Sequence, residues 1–334
     1  MSVAQESFQA SIDPAAAGRW ARLAQRGAGP NWLHEEVGAR LLDRIDLVQL
    51  PAVRTWVNGH CLPGAEALQQ ALAARWPDAR CYAPSLTPSQ NDSKIIAAQA
   101  VFSPEKAEIT EKNAPALPQR LRQWWQQARG SGRGAAALPA VSRPVLCAPP
   151  PQSAQVLVAN LLLHSSANPE QLLKNWHDSL ATGGVLFFSA LGPDTLKPLQ
   201  QLHARMGWPA PMQRLVDMHD WGDALVNTGF ATPVMEMERI TATYSSAKAL
   251  RTELRALGRN LHPQRFRGLR GRSWGVQWLA AVEALKGSDG RIHIPIEIIY
   301  GHAFKPAPRE AVGAGGEQLY SLEKLRGSLP SRRA

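Results

Sequence analysis

The sequence predicts an α/β fold with a doubly wound, mostly parallel sheet. Residues 155–162 form a near-continuous apolar run, and residues 185–190 form a second one. Such runs are typical of strands that are buried on both faces. Between them, residues 168–180 have helical spacing, with Asn168 as a candidate N-cap and Pro169 at the first helical position. The order strand, helix, strand therefore predicts parallel strands covered by helices.

The preceding segment also predicts alternating helices and strands. Helical spacing indicates two N-terminal helices, at residues 14–25 and 32–46. A short β-prone run at 53–57 leads into a glycine-containing loop, which is followed by a helix at 65–75 and a second strand at 79–83. This order adds two further strands to the predicted parallel sheet.

The later elements predict a helical insertion before the last strand. Helices are expected at residues 196–205, 215–227, 248–257 and 273–285. Strands are expected at residues 234–244 and 292–304.

This pattern predicts an N-terminal helical cap at 1–50, an α/β domain at 51–304 and a loose basic tail at 305–334. Within the domain, residues 89–150 have weak periodicity and include a linker at 130–144 that is rich in Gly, Ala and Pro.

Composition excludes several classes of protein. The chain has 334 residues, of which 44% are hydrophobic, and this apolar content can fill a sizeable core. Its longest apolar runs are shorter than the about 20 residues that span a bilayer, and its first ten residues lack the features of a secretory signal. We therefore expect a cytoplasmic protein without a membrane span. The net charge of +10 indicates a polyanionic partner without choosing its class.

The cysteines and histidines do not predict a metal site. The three cysteines, Cys61, Cys81 and Cys147, are too widely separated for a C-x-x-C pair, and the histidines have no ligand spacing. We expect neither zinc nor a disulfide.

Four segments carry a resemblance to a known family. They are HEEVGARLLDRIDL at 34–47, VANLLLH at 158–164, LATGGVLFFSALGPDTL at 180–196 and LRTELRALGRNLH at 250–262. With the predicted element order, they resemble the class I S-adenosylmethionine-dependent methyltransferases, and most closely the malonyl-acyl carrier protein O-methyltransferases of biotin biosynthesis. The resemblance covers roughly residues 12–304, with a poorly matched middle. It implies S-adenosylmethionine as the cofactor and an acyl carrier protein as the partner.

The resemblance also implies a set of cofactor-binding residues. Asn58, Gly59 and Gly64 would surround the methionine moiety, Ser85 would face the ribose, and Gln155 and Asn160 would lie at the transfer site. No catalytic side chain is implied, because a carboxylate that attacks a sulfonium methyl needs alignment and desolvation but no general base. The two glycines also fit ordinary turns, and Asn160 also fits a strand-end cap.

The sequence departs from the family pattern at this cofactor pocket. Bulky residues His60, Cys61 and Leu62 follow Gly59, and Pro63 lacks an N–H donor. Ser85 and Gln155 occupy positions where the family has acids, and Gly27 occupies the position of a tyrosine that closes over the site. These departures predict weakened cofactor binding.

Residues 248–272 form a basic segment with a local charge of +7. Arg251, Arg255 and Arg259 are four residues apart and share one helix face, and Arg265 follows them. The resemblance implies that these four arginines bind the acidic surface of an acyl carrier protein. A solvated arginine-rich face is the alternative interpretation.

Three functions therefore remain open. The first is the methyltransferase, and the second is a catalytically inactive pseudo-methyltransferase that binds an acidic partner. The third is a nucleic-acid binder that uses the basic segment and nearby aromatics, although no nucleic-acid motif accompanies them.

Overall fold

A computed structural model describes residues 12–24, 32–59, 66–83 and 148–307 of the chain. It contains helices α1 (Pro14–Ala24), α2 (Trp32–Asp46), α3 (Glu66–Arg75), α4 (Pro169–Ser179), α5 (Lys197–Arg205), α6 (Met218–Thr228), α7 (Ala247–Leu257) and α8 (Arg272–Glu283). Its strands are β1 (Thr55–Asn58), β2 (Arg80–Tyr82), β3 (Ala154–Ala159), β4 (Leu180–Leu191), β5 (Ala231–Tyr244) and β6 (Ile292–Phe304). A 3₁₀ turn, Leu163–Ser165, follows β3.

The strands form one sheet in the order β2-β1-β3-β4-β6-β5. The first four strands are parallel to their neighbours, whereas β6 runs antiparallel to both β4 and β5. Helices α7 and α8 lie between β5 and β6 in sequence. The predicted α/β fold, with a mostly parallel sheet and a helical insertion before the last strand, is confirmed.

The apolar run at β3 shows why the sheet is covered on both faces. Leu157 packs in a core cluster with Trp176 of α4, whereas its neighbour Val156 packs with Val37 of α2. Alternate side chains of a strand point to opposite faces, so both must be apolar when helices cover both faces.

Local sequence sets the start and path of several elements. Asn168 accepts a hydrogen bond from the Gln171 backbone N–H at 3.0 Å and caps α4. At the start of β4, a Cβ added to Gly184 would lie 2.9 Å from the Ala154 carbonyl oxygen, so only glycine fits this approach.

Several expectations lie outside the described residues. They concern Gly64, Ser85, the linker at 130–144, most of the segment at 89–150 and residues 308–334 of the predicted tail. The helical cap at 1–50 stays a prediction about domain organisation, although α1 and α2 lie within it.

Candidate functional site

The carboxyl ends of β1 and β3 bring two of the predicted site residues to the same edge of the sheet. Asn58 is the last residue of β1, and Asn160 directly follows β3. The Gly59 backbone N–H donates to the Val158 carbonyl at 2.8 Å, which continues the pairing of these strands beyond Asn58. Open α/β sheets bind ligands beyond the carboxyl ends of their strands, so this edge is the candidate site.

Asn160 connects three parts of this edge. Its fully buried side chain donates from Nδ2 to the His34 carbonyl at 2.8 Å. Its Oδ1 accepts from the Ser189 hydroxyl at 2.8 Å, and this hydroxyl accepts from the Leu161 N–H at 2.9 Å. The amide therefore joins the start of α2 to the ends of β3 and β4, as a strand-end cap would.

Asn58 and Gly59 are also held by neighbouring elements. The Asn58 amide donates to Gln69 Oε1 of α3 at 3.2 Å. A Cβ added to Gly59 would lie 3.1 Å from the Cβ of Ala159, so this glycine permits close contact between β1 and β3.

The structure does not bring Gln155 to this edge. Gln155 is the second residue of β3, and its Oε1 accepts from the backbone N–H groups of Arg54 and Thr55 at 3.0 and 2.8 Å. Because β3 is parallel to β1, this position is the amino end of the sheet, opposite the edge that holds Asn160. The expectation that Gln155 joins Asn160 at a transfer site does not agree with this placement.

A cavity of about 700 Å³, called here the first cavity, opens beside the ends of β1 and β3. Its walls include Gly59, Leu162, Ser165 and Ser166 at the sheet edge, Gly18 and Trp20 from α1, and Asn175 and Trp176 from α4.

The described wall of the first cavity does not fit the ribose of S-adenosylmethionine in the way that the resemblance implies. Near the sheet edge the wall offers the hydroxyls of Ser165 and Ser166. The described end of β2, Tyr82 and Ala83, carries no carboxylate that could accept from both ribose hydroxyls. Asp178 lines the cavity near the carboxyl end of α4, which returns toward the amino end of the sheet.

A second cavity, of about 470 Å³, lies beyond the ends of β3 and β4. His34, Leu161, His164 and Leu191 form its wall at the sheet edge, and helices α5, α7 and α8 form much of the rest. Trp20 and Ser165 line both cavities, so the two cavities adjoin at these residues.

All four predicted partner-binding arginines line the second cavity. Arg251 and Arg255 make no ion pair with another described residue. The Arg259 guanidinium donates to the carbonyls of Arg255 and Gly258, at 2.5 and 2.8 Å, and lies over the Trp20 ring at 5.5 Å. The four arginines therefore line the same cavity. Arg251 and Arg255 make no ion pair with a described residue, whereas Arg259 bonds to backbone carbonyls.

Arg265 holds α1 in place. Its guanidinium donates to Asp13 at 2.5 Å, and both side chains are mostly buried. Asp13 also caps α1 by accepting from the N–H groups of Ala15 and Ala16, and its backbone N–H donates to the Leu261 carbonyl at 2.8 Å. The hydrogen bond from Arg265 lowers the pKa of Asp13 below its ordinary value. Arg265 therefore tethers α1, the helix whose Trp20 lines both cavities.

Two histidines at the sheet edge were missed as site residues by sequence reasoning. Desolvation lowers the pKa of His34 to about 4, and desolvation together with the proximity of His34 lowers the pKa of His164 to about 3. The Leu191 backbone N–H donates to His164 Nδ1 at 3.3 Å. Both imidazoles are thus neutral at pH 7. The available signal was their position within the motifs at 34–47 and 158–164.

The turn after β4 explains part of the motif at 180–196. A Cβ added to Gly192 would lie 2.7 Å from the side chain of Glu297, which is buried on β6. The Glu297 carboxylate accepts from the Asp194 N–H at 2.6 Å, and its backbone pairs with the Thr195 hydroxyl. Glycine at this position gives the buried carboxylate room to cap the turn.

The described part of the chain contains neither a metal-binding group nor a membrane-spanning helix. Within residues 12–24, 32–59, 66–83 and 148–307, no group of three His, Cys, Asp or Glu side chains is arranged to hold a metal ion. No helix among those residues combines the length and the apolar character that crossing a bilayer requires.

Comparison with known proteins identifies the family. The chain is 34% identical over 285 residues to the malonyl-[acyl-carrier protein] O-methyltransferase of Laribacter hongkongensis strain HLHK9, covering 83% of this chain and 84% of that protein. It is 32% identical over 284 residues to the protein of the same name from Methylovorus sp. strain MP688, covering 85% and 86%. No family model matches the sequence. The YcgJ protein of Bacillus subtilis is a solved structure that is similar to this chain with a TM-score of 0.45 and 10% identity, covering 81% of this chain and 99% of that one. On the similarity to these two relatives, the chain belongs to the malonyl-[acyl-carrier protein] O-methyltransferase family.

Proposed function

We propose that the protein methylates the free carboxyl group of a malonyl thioester carried by an acyl carrier protein. The observation that carries this proposal is the pair of adjoining cavities, one of which presents Arg251 and Arg255 without ion-pair partners among the described residues. The names of the relatives from Laribacter and Methylovorus supply the substrate class. The reaction belongs to biotin biosynthesis by the resemblance, and we place it in the cytoplasm.

In this proposal, Arg251 and Arg255 bind the substrate carboxylate in the second cavity. Neither guanidinium is neutralised by a described acid, so each retains donors for an incoming carboxylate. Hydrogen bonds to charged groups contribute about 1.5–3 kcal/mol each. The carboxylate would be guided toward Trp20 and Ser165, where the cavities adjoin.

The surrounding side chains would exclude water and leave the carboxylate ionised. Leu161, Leu191 and Trp278 form apolar parts of the wall. Neutral His34 and His164 add no charge at this edge. S-adenosylmethionine, when bound, would supply an electrophilic methyl group. The protein's own contribution is orientation and desolvation, since the attacking oxygen needs no general base.

The carrier protein would be recognised through charge. The chain carries a net charge of +10, and residues 248–272 contribute +7 of local charge. An acidic partner would be steered to this basic segment, with an association rate that falls as salt is added.

A catalytically inactive, carrier-binding protein is the second candidate. It is favoured because the amides of Asn58, Gln155 and Asn160 are engaged inside the fold, and because residues 83–88 contain no acid. Such a protein would keep the basic cavity without turning over a methyl donor.

The test combines a binding measurement with a transfer assay. Calorimetric titration with S-adenosylhomocysteine should give micromolar affinity, and malonyl-acyl carrier protein should be converted to its methyl ester. Arg255→Gln should lower kcat/KM by about 10- to 100-fold. Lys174→Gln is the control, because Lys174 is exposed on α4, lies outside the basic segment and lines neither cavity.

Each alternative has its own result. Salt-sensitive binding of the carrier protein, with no heat from S-adenosylhomocysteine and no methyl transfer, would exclude the enzyme and favour the inactive binder. Affinity for arbitrary DNA equal to that for the carrier protein would instead favour the nucleic-acid binder.

A further inference from the structure

Arg270 lines the second cavity, and the proposed function gives it no role beyond its share of the charge of the basic segment. Its guanidinium carbon lies 4.4 Å from the ring centroid of Phe266 and 4.0 Å from that of Trp274. Contact with the faces of two rings holds the guanidinium and leaves its N–H groups directed away from the rings. No described residue accepts a hydrogen bond from Arg270 or forms an ion pair with it. The Arg270 side chain is therefore a cation that two aromatic rings hold in position and that no described acid neutralises.

A second donor without an acceptor lies beside it. Trp274 Nε1 is buried and has no hydrogen-bond partner among the described residues, and its side chain lines the same cavity. Desolvation lowers the pKa of Arg270 below its ordinary value. Buried donors such as Trp274 Nε1 are normally paired, and the partly exposed Arg270 guanidinium beside it has no described acceptor either. An oxyanion that accepts from both groups would satisfy them.

The wall that carries these donors is held by other contacts. Trp278 Nε1 donates to His203 Nε2 at 3.1 Å, and His203 Nδ1 donates to the Pro209 carbonyl at 2.8 Å. Trp274 packs against Trp208 at 5.8 Å and against Trp278 at 6.4 Å between ring centroids. A wall fixed in this way offers donors at set positions before a ligand arrives.

The Arg270 guanidinium lies toward the outer rim of the cavity. Phe266 is 49% exposed, and the nearby Leu269 is fully exposed, whereas Leu161 at the sheet edge is buried. In the proposed function, the carboxylate that is methylated lies where the cavities adjoin, at Trp20 and Ser165. An anion bound at Arg270 is therefore another group of the same substrate. Alternatively, it is the carboxylate of a substrate that is bound in a different position.

We propose that Arg270 and Trp274 form an oxyanion-binding subsite at the rim of the second cavity. Two sources supply such an oxyanion, namely the phosphate of a phosphopantetheine arm and the terminal carboxylate of the acyl chain. The rim position favours the phosphate. This proposal rests on the proposed function only in naming the molecule to which the oxyanion belongs.

The experiment compares the affinities of three small ligands for the full-length protein, measured by calorimetry. The ligands are 4′-phosphopantetheine, pantetheine and malonyl-pantetheine, which carry a phosphate, no anion and a carboxylate. We expect 4′-phosphopantetheine to bind about 10-fold or more tightly than pantetheine. Arg270→Gln should abolish this difference, and Trp274→Phe, which keeps the ring but removes the donor, should reduce it.

Arg267→Gln is the matched control, because Arg267 is an exposed arginine of the same segment that does not line the cavity. It should leave the difference between the ligands unchanged. An Arg270-dependent preference for malonyl-pantetheine would support the subsite with the carboxylate as its ligand. Equal affinity for 4′-phosphopantetheine and pantetheine, without an Arg270-dependent preference for malonyl-pantetheine, would overturn the proposal. An equal loss in the Arg267 and Arg270 variants would overturn it as well.

This measurement needs no methyl donor. Anion-dependent binding without methyl transfer would remove the proposed enzyme and keep the subsite. Methyl transfer that is unaffected by Arg270→Gln, together with equal affinity for 4′-phosphopantetheine and pantetheine, would remove the subsite and keep the enzyme.

Discussion

The Asn160 amide gives the sharpest test of how the candidate site is built. Asn160→Ala removes a donor to the His34 carbonyl and an acceptor of the Ser189 hydroxyl, both at 2.8 Å. The side chain is fully buried, so water cannot replace either partner without entering the core. Each buried polar group that loses its partner costs about 1–3 kcal/mol, and the expected loss in the free energy of unfolding is about 2–5 kcal/mol.

Urea unfolding followed by far-UV circular dichroism measures this loss. Asn227→Ala is the control, because Asn227 is exposed on α6 and its side chain makes no hydrogen bond with a described residue; its effect should stay within about 0.5 kcal/mol. Asn160→Asp is the second variant, since it replaces the donor to the His34 carbonyl with an oxygen and should be at least as damaging. A free energy of unfolding for Asn160→Ala within about 0.5 kcal/mol of the wild type would refute the reasoning.

Three further outcomes are expected. Gly192→Ala should lower stability in urea by about 1–3 kcal/mol, because its Cβ would lie 2.7 Å from Glu297, whereas Gly275→Ala, with open space on α8, should be neutral or stabilising. The pKa of His164 is about 3 in the folded state and about 6.5 when unfolded, so its contribution to stability is present above pH 6.5 and is lost as the pH falls. His164→Gln should therefore reduce the slope of unfolding free energy between pH 6 and 4 by about 1.4 kcal/mol per pH unit, and parallel slopes would contradict this assignment. Asp13→Asn should speed amide hydrogen exchange in α1, and unchanged exchange would show that the tether does not hold the helix.

Local patterns in the sequence were sufficient to predict the described elements. The apolar run at β3 indicates burial on both faces, because neighbouring side chains of a strand cannot both face one helix layer. The capping position of Asn168 and the proline after it mark the start of α4. These signals act over a few residues and need no knowledge of the rest of the chain.

Contacts between distant segments were not predicted from such patterns. The ion pair between Asp13 and Arg265 spans 252 positions, and no periodicity links its two ends. The charge pattern grouped Arg265 with Arg251 and Arg255, although only the tertiary contact with Asp13 distinguishes their roles. The resemblance to a family motif likewise assigned Gln155 to the transfer site. Its position near the start of β3 already indicated that it lies at the amino end of the sheet, away from that site.

The position of β6 has a consequence for how the protein folds during synthesis. β6 is the last described strand in the chain, yet it lies between β4 and β5 in the sheet. Until residues 292–304 have emerged, β4 and β5 have no partner on the sides that β6 will occupy, and unpaired strand edges promote association between chains. During synthesis, the exposed edges of β4 and β5 must pair neither with each other nor with strands of other chains. Completion of the sheet is therefore a late event, in which β6 joins β5 to the four parallel strands.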